Sequence, residues 1–231
     1  MKFPDVSDRR FVALASDYDG TLAKDGEVSA ATLEALRRFK ARGGRLILVT
    51  GRVLPELIEV FPALEVCDLV VAENGALLFW PESGEVRLLA APPPPAFAET
   101  LARLGAEPLS VGRCIVATRT PHDVAVLKTI EAMQLDLAII FNKGAVMVLP
   151  SGVSKASGLE AALAALDLKA QETVGVGDAE NDLAMLKLCG LGVAVANALD
   201  SVKAAADWVT PGARGDGVAQ ALDALMNAEA S

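Results

Sequence analysis

The chain has 231 residues, of which 52% are hydrophobic and 22% are charged, and its formal net charge at pH 7 is −9. This length and composition are typical of a compact folded protein with one large domain or two smaller ones, and they argue against intrinsic disorder. The excess of negative charge disfavours nucleic acids and anionic membrane surfaces as partners. No apolar run approaches the roughly 18 residues that span a bilayer, so we expect no membrane partner.

The numbers and spacing of cysteine and histidine limit the kinds of metal site that the chain can form, and they indicate its cellular compartment. Cys67, Cys114 and Cys189 are widely spaced and lack metal-ligand spacing, so we expect reduced, buried thiols. His122 is the single histidine, which excludes a metal site built from several histidines. Residues 1–5 lack the charged and then apolar pattern of a signal peptide. We therefore expect a cytoplasmic protein.

The first part of the chain alternates predicted strands and helices. An apolar run at 11–15 predicts a buried strand, Ser29 is a good N-cap for the helix that follows, and a second strand is predicted at 46–49. A short helix at 54–61 and a third strand at 69–72 continue the pattern. Strands that alternate with helices in this way favour a parallel sheet.

Residues 83–151 interrupt this alternation and predict a smaller, inserted α+β unit. Its predicted elements are strands at 86–90 and 114–118, helices at 95–104 and 123–133, and a hairpin that pairs 138–141 with 146–149 around Lys143-Gly144. A run of four prolines at 92–95 lies near its start.

After residue 154 the alternation of helices and strands resumes. The predicted elements are a helix at 155–166, a strand at 173–176, a helix at 179–188, a strand at 192–196, a short helix at 201–205, a strand at 208–210 and a closing helix from 218. We therefore predict an α/β fold whose core is a Rossmann-like, doubly wound parallel sheet. This core is discontinuous, over residues 1–82 and 152–231, and residues 83–151 form the inserted domain.

Two aspartates, one residue apart, follow the first predicted strand. Asp17 and Asp19 lie where an open α/β sheet places its ligand sites, at the carboxyl end of a strand. Two carboxylates held there repel each other and lose solvation, which is unfavourable unless a cation or a reaction requires them. Taken alone, the pair could instead form a helix N-cap or a turn.

Further polar and charged side chains are predicted at the same edge of the sheet. They are Thr50, Gly51 and Arg52 after the second strand, Lys155 at a helix start, and Asp178, Asn181 and Asp182 after the strand at 173–176. Each has an ordinary alternative, which is a turn, a solvated lysine or a helix N-cap. A doubly wound sheet would bring them together, because its parallel strands end at one edge.

This set of motifs, in this order, resembles the haloacid dehalogenase superfamily of phosphohydrolases, which use an aspartate nucleophile. The resemblance covers nearly the whole chain and extends to the segment 73–76 after the third strand and to segments between 197 and 207. The insertion after the third strand is similar to the superfamily's class IIB cap, in a compact version. The matching motifs are 17–21 for the first, 50–52 for the second, Lys155 for the third and 177–182 for the fourth.

The resemblance implies an aspartyl-phosphate mechanism. Asp17 is the expected nucleophile, and Asp19 is expected to protonate the leaving group and then to deprotonate the attacking water. An acid at position 19 favours phosphate ester hydrolysis over dehalogenation, in which the halide leaves without a proton. Lys155 is expected to hold the phosphate and to offset the clustered carboxylates. Tyr18, between the two acids, is expected to pack into the core.

Mg²⁺ is the expected cofactor, because it prefers oxygen ligands and needs only one or two protein carboxylates. Asp17 and Asp178 suit these positions, and the resemblance adds the backbone carbonyl of Asp19. Asp182 is expected to hold metal-bound waters or to orient Lys155.

The phosphate oxygens are expected to meet the hydroxyl of Thr50 and the backbone N–H of Gly51. Arg52 either binds substrate or pairs with a nearby acid such as Glu56, and Asn181 either contacts substrate or braces its loop. Residues of the inserted domain that could contact substrate, or could equally be solvated surface, are Arg113, Arg119, His122, Asn142 and Lys143.

The sequence thus predicts a Mg²⁺-dependent phosphatase, a phosphoric monoester hydrolase that acts on a small phosphorylated metabolite such as a sugar phosphate or a phosphoglycolate-like compound. A phosphomutase on sugar phosphates is the enzymatic alternative. A receiver-like module that accepts a phosphoryl group without turnover is the alternative from another class of protein, although such a module needs no inserted domain.

Overall fold

The computed structural model describes Phe3, Pro4 and residues 9–228. Residues 1, 2 and 5 of the segment inspected for a signal peptide lie outside this part. Within it, the strands assemble into an eight-stranded sheet and a four-stranded sheet. None of the helices in the same residues is both long enough and apolar enough to cross a membrane.

The elements of both sheets follow one another along the chain with short connections. The strands are β1 (Ala13–Ser16), β2 (Arg45–Val49), β3 (Leu69–Ala72), β4 (Leu77–Phe79), β5 (Val86–Leu88), β6 (Ser110–Val111), β7 (Val116–Arg119), β8 (Leu137–Asn142), β9 (Ala145–Pro150), β10 (Thr173–Gly177), β11 (Leu191–Ala194) and β12 (Trp208–Val209). The helices are α1 (Ala30–Ala41), α2 (Leu54–Val60), α3 (Pro95–Arg103), α4 (Asp123–Ala132), α5 (Lys155–Ala165), α6 (Leu183–Leu188), α7 (Asp200–Ala205) and α8 (Arg214–Ala228).

The larger sheet has the strand order β12-β11-β10-β1-β2-β3-β4-β5. Its first six strands in this order are parallel, and β4 and β5 are antiparallel. Every residue of β1, β3, β10 and β11 is buried, which explains why these strands are apolar runs rather than alternating patterns. The prediction of an α/β fold with a parallel core is confirmed.

Side-chain caps fix the starts of two helices that lie near the strand ends. The Ser29 hydroxyl accepts the Thr32 N–H at 3.1 Å before α1, as the sequence predicts. Before α5, the Ser154 hydroxyl accepts the Ser157 N–H at 3.2 Å, and the Ser157 hydroxyl accepts the Ser154 N–H at 2.9 Å. This capping box makes Lys155 the first residue of its helix.

The smaller sheet has the order β6-β7-β9-β8, and all of its strand pairs are antiparallel. Helices α3 and α4 pack on it around a separate apolar core that includes Phe97, Leu101 and Val126. The β8–β9 hairpin turns at Lys143 (φ 46°) and Gly144 (φ 83°), which confirms the predicted hairpin.

The predicted strand at 86–90 belongs to the larger sheet rather than to the smaller one. Strand β5 pairs antiparallel with β4, and Leu88 lies opposite Leu77. A short turn at 81–84, with Gly84 at φ 72°, makes this local hairpin the nearest available pairing. We therefore propose that the inserted domain, which we call the cap, begins after β5 rather than at residue 83.

Other element boundaries also differ from the prediction. The helix predicted at 179–188 is a 3-10 turn over Glu180–Asp182 followed by α6, because the Asp182 carboxylate accepts backbone N–H groups of the loop before it. The closing helix begins at Arg214 rather than at 218. At this start, the side chain of the distant Asn197 accepts the Arg214 N–H at 2.7 Å. The two-residue strand β6 has no counterpart in the prediction.

Candidate active site

Two buried aspartates lie side by side where β1 and β10 end. Ser16 and Val176 are partners in the β1–β10 register, and Asp17 and Asp178 follow within two residues of them. Asp17 is 4% exposed and Asp178 is fully buried. With Asp182 they form a cluster whose carboxylate oxygens lie within 4.8 Å of one another. The expectation that distant strand ends bring these acids together agrees with this geometry.

Lys155 is the buried counter-charge of this cluster. Its Nζ donates to Asp17 Oδ1 at 2.5 Å and to Asp182 Oδ1 at 2.6 Å, and the residue is 2% exposed. Burial alone would lower the pKa of Lys155, but Asp17 and Asp182 outweigh it and raise that pKa. Lys155 is therefore a permanent cation between two acids.

The Asp17 carboxyl group lies in an unusual electrostatic environment. Burial raises its pKa to about 8, and the charge of Lys155 opposes this shift only in part. Asp182 and Asp178 raise the pKa further through repulsion. A further cation beside Asp17 would stabilise its ionised form.

Asp178 is already in contact with a positive charge that comes from the cap. Its Oδ2 accepts from Lys143 Nζ at 2.5 Å, and its Oδ1 accepts from the Thr21 hydroxyl at 3.1 Å. Asn197 Nδ2 lies 3.4 Å from the same Oδ2. The sequence offered Lys143 only as one of several cap residues, and its position at the tip of a tight hairpin was the available signal.

The donor set fits a hard divalent cation. The cluster consists of carboxylate oxygens, which suit Mg²⁺, Ca²⁺ or Mn²⁺. Asp178 Oδ2 faces an ammonium group, so the pocket stabilises positive charge at this point. Both oxygens of Asp182 already accept hydrogen bonds, from Lys155 and from the backbone N–H groups of Asp178 and Ala179. Asp178 also accepts at both oxygens, but its Oδ2 partner is the ammonium group of Lys143, whose place a metal cation could take. Asp17 and Asp178 would therefore be the carboxylates best placed to ligate a metal.

Asp19 lies outside this buried cluster. Its side chain is 48% exposed, and its two oxygens accept from Arg52 Nε and Nη2, both at 2.7 Å. Arg52 thus pairs with Asp19 rather than with Glu56, whose carboxylate accepts from the Ser110 hydroxyl of the cap at 3.0 Å. Tyr18 is fully buried and donates to the Gly26 carbonyl at 2.8 Å, as expected for a core residue.

The loop after β2 meets the cap, and the segment after β3 meets the loop after β10. Thr50 is fully buried, and its Oγ1 accepts the Arg52 N–H at 3.1 Å. A Cβ atom on Gly51 would lie 3.3 Å from Met147 Sδ of the cap. Asn181 Nδ2 donates to Asn74 Oδ1 at 3.0 Å, while its own buried Oδ1 has no hydrogen-bond partner among the described residues.

A cavity of 450 Å³ lies between the acid cluster and the cap. The core contributes Asp17, Asp19, Arg52 and Lys155 to its walls, and the cap contributes Arg119, Asn142 and Lys143. Arg113 and His122 do not line it, and the His122 ring instead contacts the Glu107 carbonyl at 3.1 Å. A larger cavity of 620 Å³ is lined by three acids and no lysine or arginine, so it is unsuited to a phosphate ester.

A sequence model of the haloacid dehalogenase-like hydrolases matches residues 14–101 and 113–222. The chain is 30% identical over 223 residues to the phosphoglycolate phosphatase of Methanothermobacter thermautotrophicus, with 93% of this chain and 98% of that protein covered. It is 31% identical over 219 residues to the phosphoglycolate phosphatase of Archaeoglobus fulgidus, with 92% and 96% covered.

Solved structures share the fold. A haloacid dehalogenase-like hydrolase from Bacteroides thetaiotaomicron superposes with a TM-score of 0.80 at 24% identity, over 94% of this chain and all of that one. A subclass IIB sugar phosphatase superposes with a TM-score of 0.73 at 23% identity, over 93% of this chain and 98% of that one. The family prediction is confirmed, and the receiver-like alternative is set aside. The chain belongs to the haloacid dehalogenase-like hydrolases and is a phosphatase of that family.

Proposed function

We propose that the protein is a Mg²⁺-dependent phosphatase that hydrolyses a small phosphate ester with a second negative group, of the phosphoglycolate type. The observation that carries this proposal is the buried cluster in which Lys155 bridges Asp17 and Asp182 beside Asp178, at the base of a cavity that the cap covers. The relatives of at least 30% identity that are phosphoglycolate phosphatases support the choice of substrate.

The proposed first step forms an aspartyl phosphate. A carboxylate oxygen of Asp17 attacks phosphorus, the bond from phosphorus to the ester oxygen breaks, and Asp19 donates its proton to that oxygen. In the second step Asp19 takes a proton from water, the water oxygen attacks phosphorus, and the bond to Asp17 breaks. Binding of the phosphate would compete with Asp19 for Arg52 and thereby free the Asp19 carboxyl group for these transfers.

The other site residues would bind and position the phosphoryl group. Thr50, Gly51 and Lys155 are suited to bind its oxygens, and Asp182 positions Lys155. Asp17 and Asp178, with the Asp19 backbone carbonyl that the family resemblance adds, would hold Mg²⁺. The metal would neutralise the charge of the phosphate oxygens.

Charges on the cap support a substrate with a second anion. Arg119 lines the cavity and forms no salt bridge with any described residue. A carboxylate is a group that an arginine binds well, because it can accept two parallel hydrogen bonds. One observation favours a sugar phosphate instead, since the Asn142 Oδ1 is buried without a hydrogen-bond partner in the described part of the chain and could accept from a hydroxyl.

Phosphate release from matched esters tests this proposal. With Mg²⁺ we expect kcat/KM for phosphoglycolate to exceed that for 2-hydroxyethyl phosphate by about tenfold or more, because only the former has a carboxylate. EDTA should abolish both activities. The preference should disappear in Arg119→Leu and persist in Arg103→Leu, a cap arginine that bonds to Thr100 away from the cavity.

Three outcomes would contradict different parts of the proposal. A preference for hexose phosphates over phosphoglycolate would overturn the substrate but not the reaction. Product that is isomerised rather than dephosphorylated would instead identify a phosphomutase. Failure to release phosphate from any ester with Mg²⁺ present would overturn the reaction itself.

A further inference from the structure

Glu73 is a buried acid that the proposed chemistry does not use. It directly follows β3, is fully buried, and has a left-handed backbone with φ 51°. Asn74 (φ 56°) and Gly75 (φ 109°) continue this conformation. Residues other than glycine rarely adopt this backbone conformation, so the surrounding structure must hold the segment in place.

The Glu73 carboxylate reaches across to the cap. Its Oε1 accepts the Arg113 N–H at 2.9 Å, and its Oε2 accepts the N–H groups of Cys114 at 2.6 Å and Ile115 at 3.1 Å. These three residues form the loop before β7. A Cβ atom on Gly112 would lie 2.6 Å from the carboxylate, so the cap backbone encloses it closely. Three backbone donors compensate for the burial of this charge.

The backbone of the same segment contacts the loop after β2. The Glu73 N–H donates to the Arg52 carbonyl at 3.0 Å, and the Asn74 N–H donates to the Thr50 carbonyl at 2.8 Å. The Asn74 side chain accepts from Asn181 at 3.0 Å. One short segment thus joins the loops after β2 and β10 to the cap.

Gly75 completes the connection to Lys155. A Cβ atom at this position would lie 1.9 Å from the Ser154 carbonyl oxygen, so only glycine allows the backbone to approach the start of α5. Beside it, core residues Val53 and Ala76 form an apolar cluster with Cys114, Ile115 and Met147 of the cap. A charged contact and an apolar contact therefore hold the same part of the cap.

We propose that Glu73 is a positioning residue that fixes the cap over the acid cluster. The loop that it binds leads directly into β7, which ends at Arg119, and β7 pairs with β9 of the hairpin that carries Lys143. Fixing this loop therefore fixes both cap cations relative to Asp17. This role does not depend on phosphoglycolate being the substrate.

The number of donors explains why glutamate is required. Glutamine has nearly the same shape but replaces one acceptor oxygen with an NH₂ group, which would face a backbone N–H. Either orientation of the amide leaves at least one of the three donors unpaired. Aspartate is one methylene shorter than the span that Glu73 covers.

Glu73→Gln tests the proposal, and Glu99→Gln on the exposed face of α3 is its matched control. In Glu73→Gln we expect amide hydrogen exchange at 113–115 to be faster than in the wild type by about tenfold or more, with exchange in β1 and β10 unchanged. KM for the hydrolysed ester should rise by about tenfold while kcat stays within about threefold. Glu99→Gln should match the wild type in both measurements.

Unchanged exchange at 113–115 in Glu73→Gln would overturn the proposal, as would a fall in kcat with KM unchanged. Should that variant fail to fold, wild-type exchange decides: amides 113–115 must be as protected as those of β7, and rapid loop-like exchange there would overturn it. Should the wild type hydrolyse no phosphate ester, the proposed function fails separately and the exchange result alone decides the role of Glu73.

Discussion

Asp17 is a carboxylate that the fold removes from water and then surrounds with other charges. Its contact with Lys155 offsets part of the cost of burying the charge. Repulsion from Asp178 and Asp182 increases that cost. An ion pair of this kind is weak evidence for stability, because burying both charges costs about as much as their attraction returns. The proposed catalytic role of Asp17 would explain why an acid is buried at this position.

Asp17→Asn should reduce kcat for phosphate ester hydrolysis by about a thousandfold or more, because an amide cannot attack phosphorus as a carboxylate does. The fold should persist, since asparagine has nearly the same size and can still accept from Lys155. Phosphate release and circular dichroism, measured on the same preparation, check this outcome.

Asp25→Asn is the control for that variant. Asp25 is exposed and has a left-handed backbone (φ 53°) that asparagine tolerates, so activity should not change. Retention of wild-type turnover in Asp17→Asn would remove Asp17 from the nucleophile role.

Elements whose boundaries depend on local signals were predictable. Ser29 caps α1, and the Lys143-Gly144 turn makes the β8–β9 hairpin, as the residue types indicate. Boundaries that depend on distant partners were not, because Asn197 accepts from Arg214 at the start of α8 and no local pattern predicts that contact. The wrong assignment of β5 has a similar cause, since a strand of only three residues can extend either sheet.

A comparison of Gly75 with Gly84 distinguishes the cost of backbone strain from the cost of a steric clash. Both have positive φ, of 109° and 72°, but only Gly75 has atoms within 4 Å of a Cβ position. Gly84→Ala should lower the free energy of unfolding by about 1 kcal/mol, which is the cost of the conformation. Gly75→Ala should cost at least about 2 kcal/mol more, because the Ser154 carbonyl must move.

Urea denaturation of the two variants measures this difference. Equal losses of stability would mean that the Gly75 segment moves freely away from α5. That result would also weaken the argument that the 73–75 segment is a fixed link between core and cap.

In the whole molecule, the parallel order of the strands explains why the sequence could predict that the site residues lie together. Strand β1 lies between β10 and β2, so Asp17, Asp178 and Thr50 must end at one edge. The seating of the cap could not be predicted, because it depends on contacts of Lys143 with Asp178 and of Glu73 with Cys114, which are 35 and 41 residues apart.

Mg²⁺ should stabilise the whole fold. At a concentration one hundred times its Kd we expect the melting temperature to rise by about 5–10 °C, since binding to the folded state alone contributes about 2.7 kcal/mol. Because burial raises the pKa of Asp17 to about 8, its carboxyl group carries a proton below that pH and binding must release it. The shift should therefore be smaller at pH 6 than at pH 8.5.

Thermal melting with Mg²⁺ and with EDTA checks this expectation. Asp178→Asn should lose most of the shift, whereas Asp167→Asn, at an exposed position with φ 54°, should keep it. An equal shift in all three proteins would place the cation outside the acid cluster.

The nucleophile role of Asp17 is tested by locating the phosphoryl group during turnover. Enzyme mixed with phosphoglycolate and Mg²⁺ is quenched in acid and treated with borohydride, which converts a phosphorylated aspartate into homoserine, and the peptides are then mapped by mass spectrometry. If Asp17 is the nucleophile, homoserine appears at position 17, depends on Mg²⁺ and is absent from unreacted enzyme. Homoserine at a different aspartate would contradict this role.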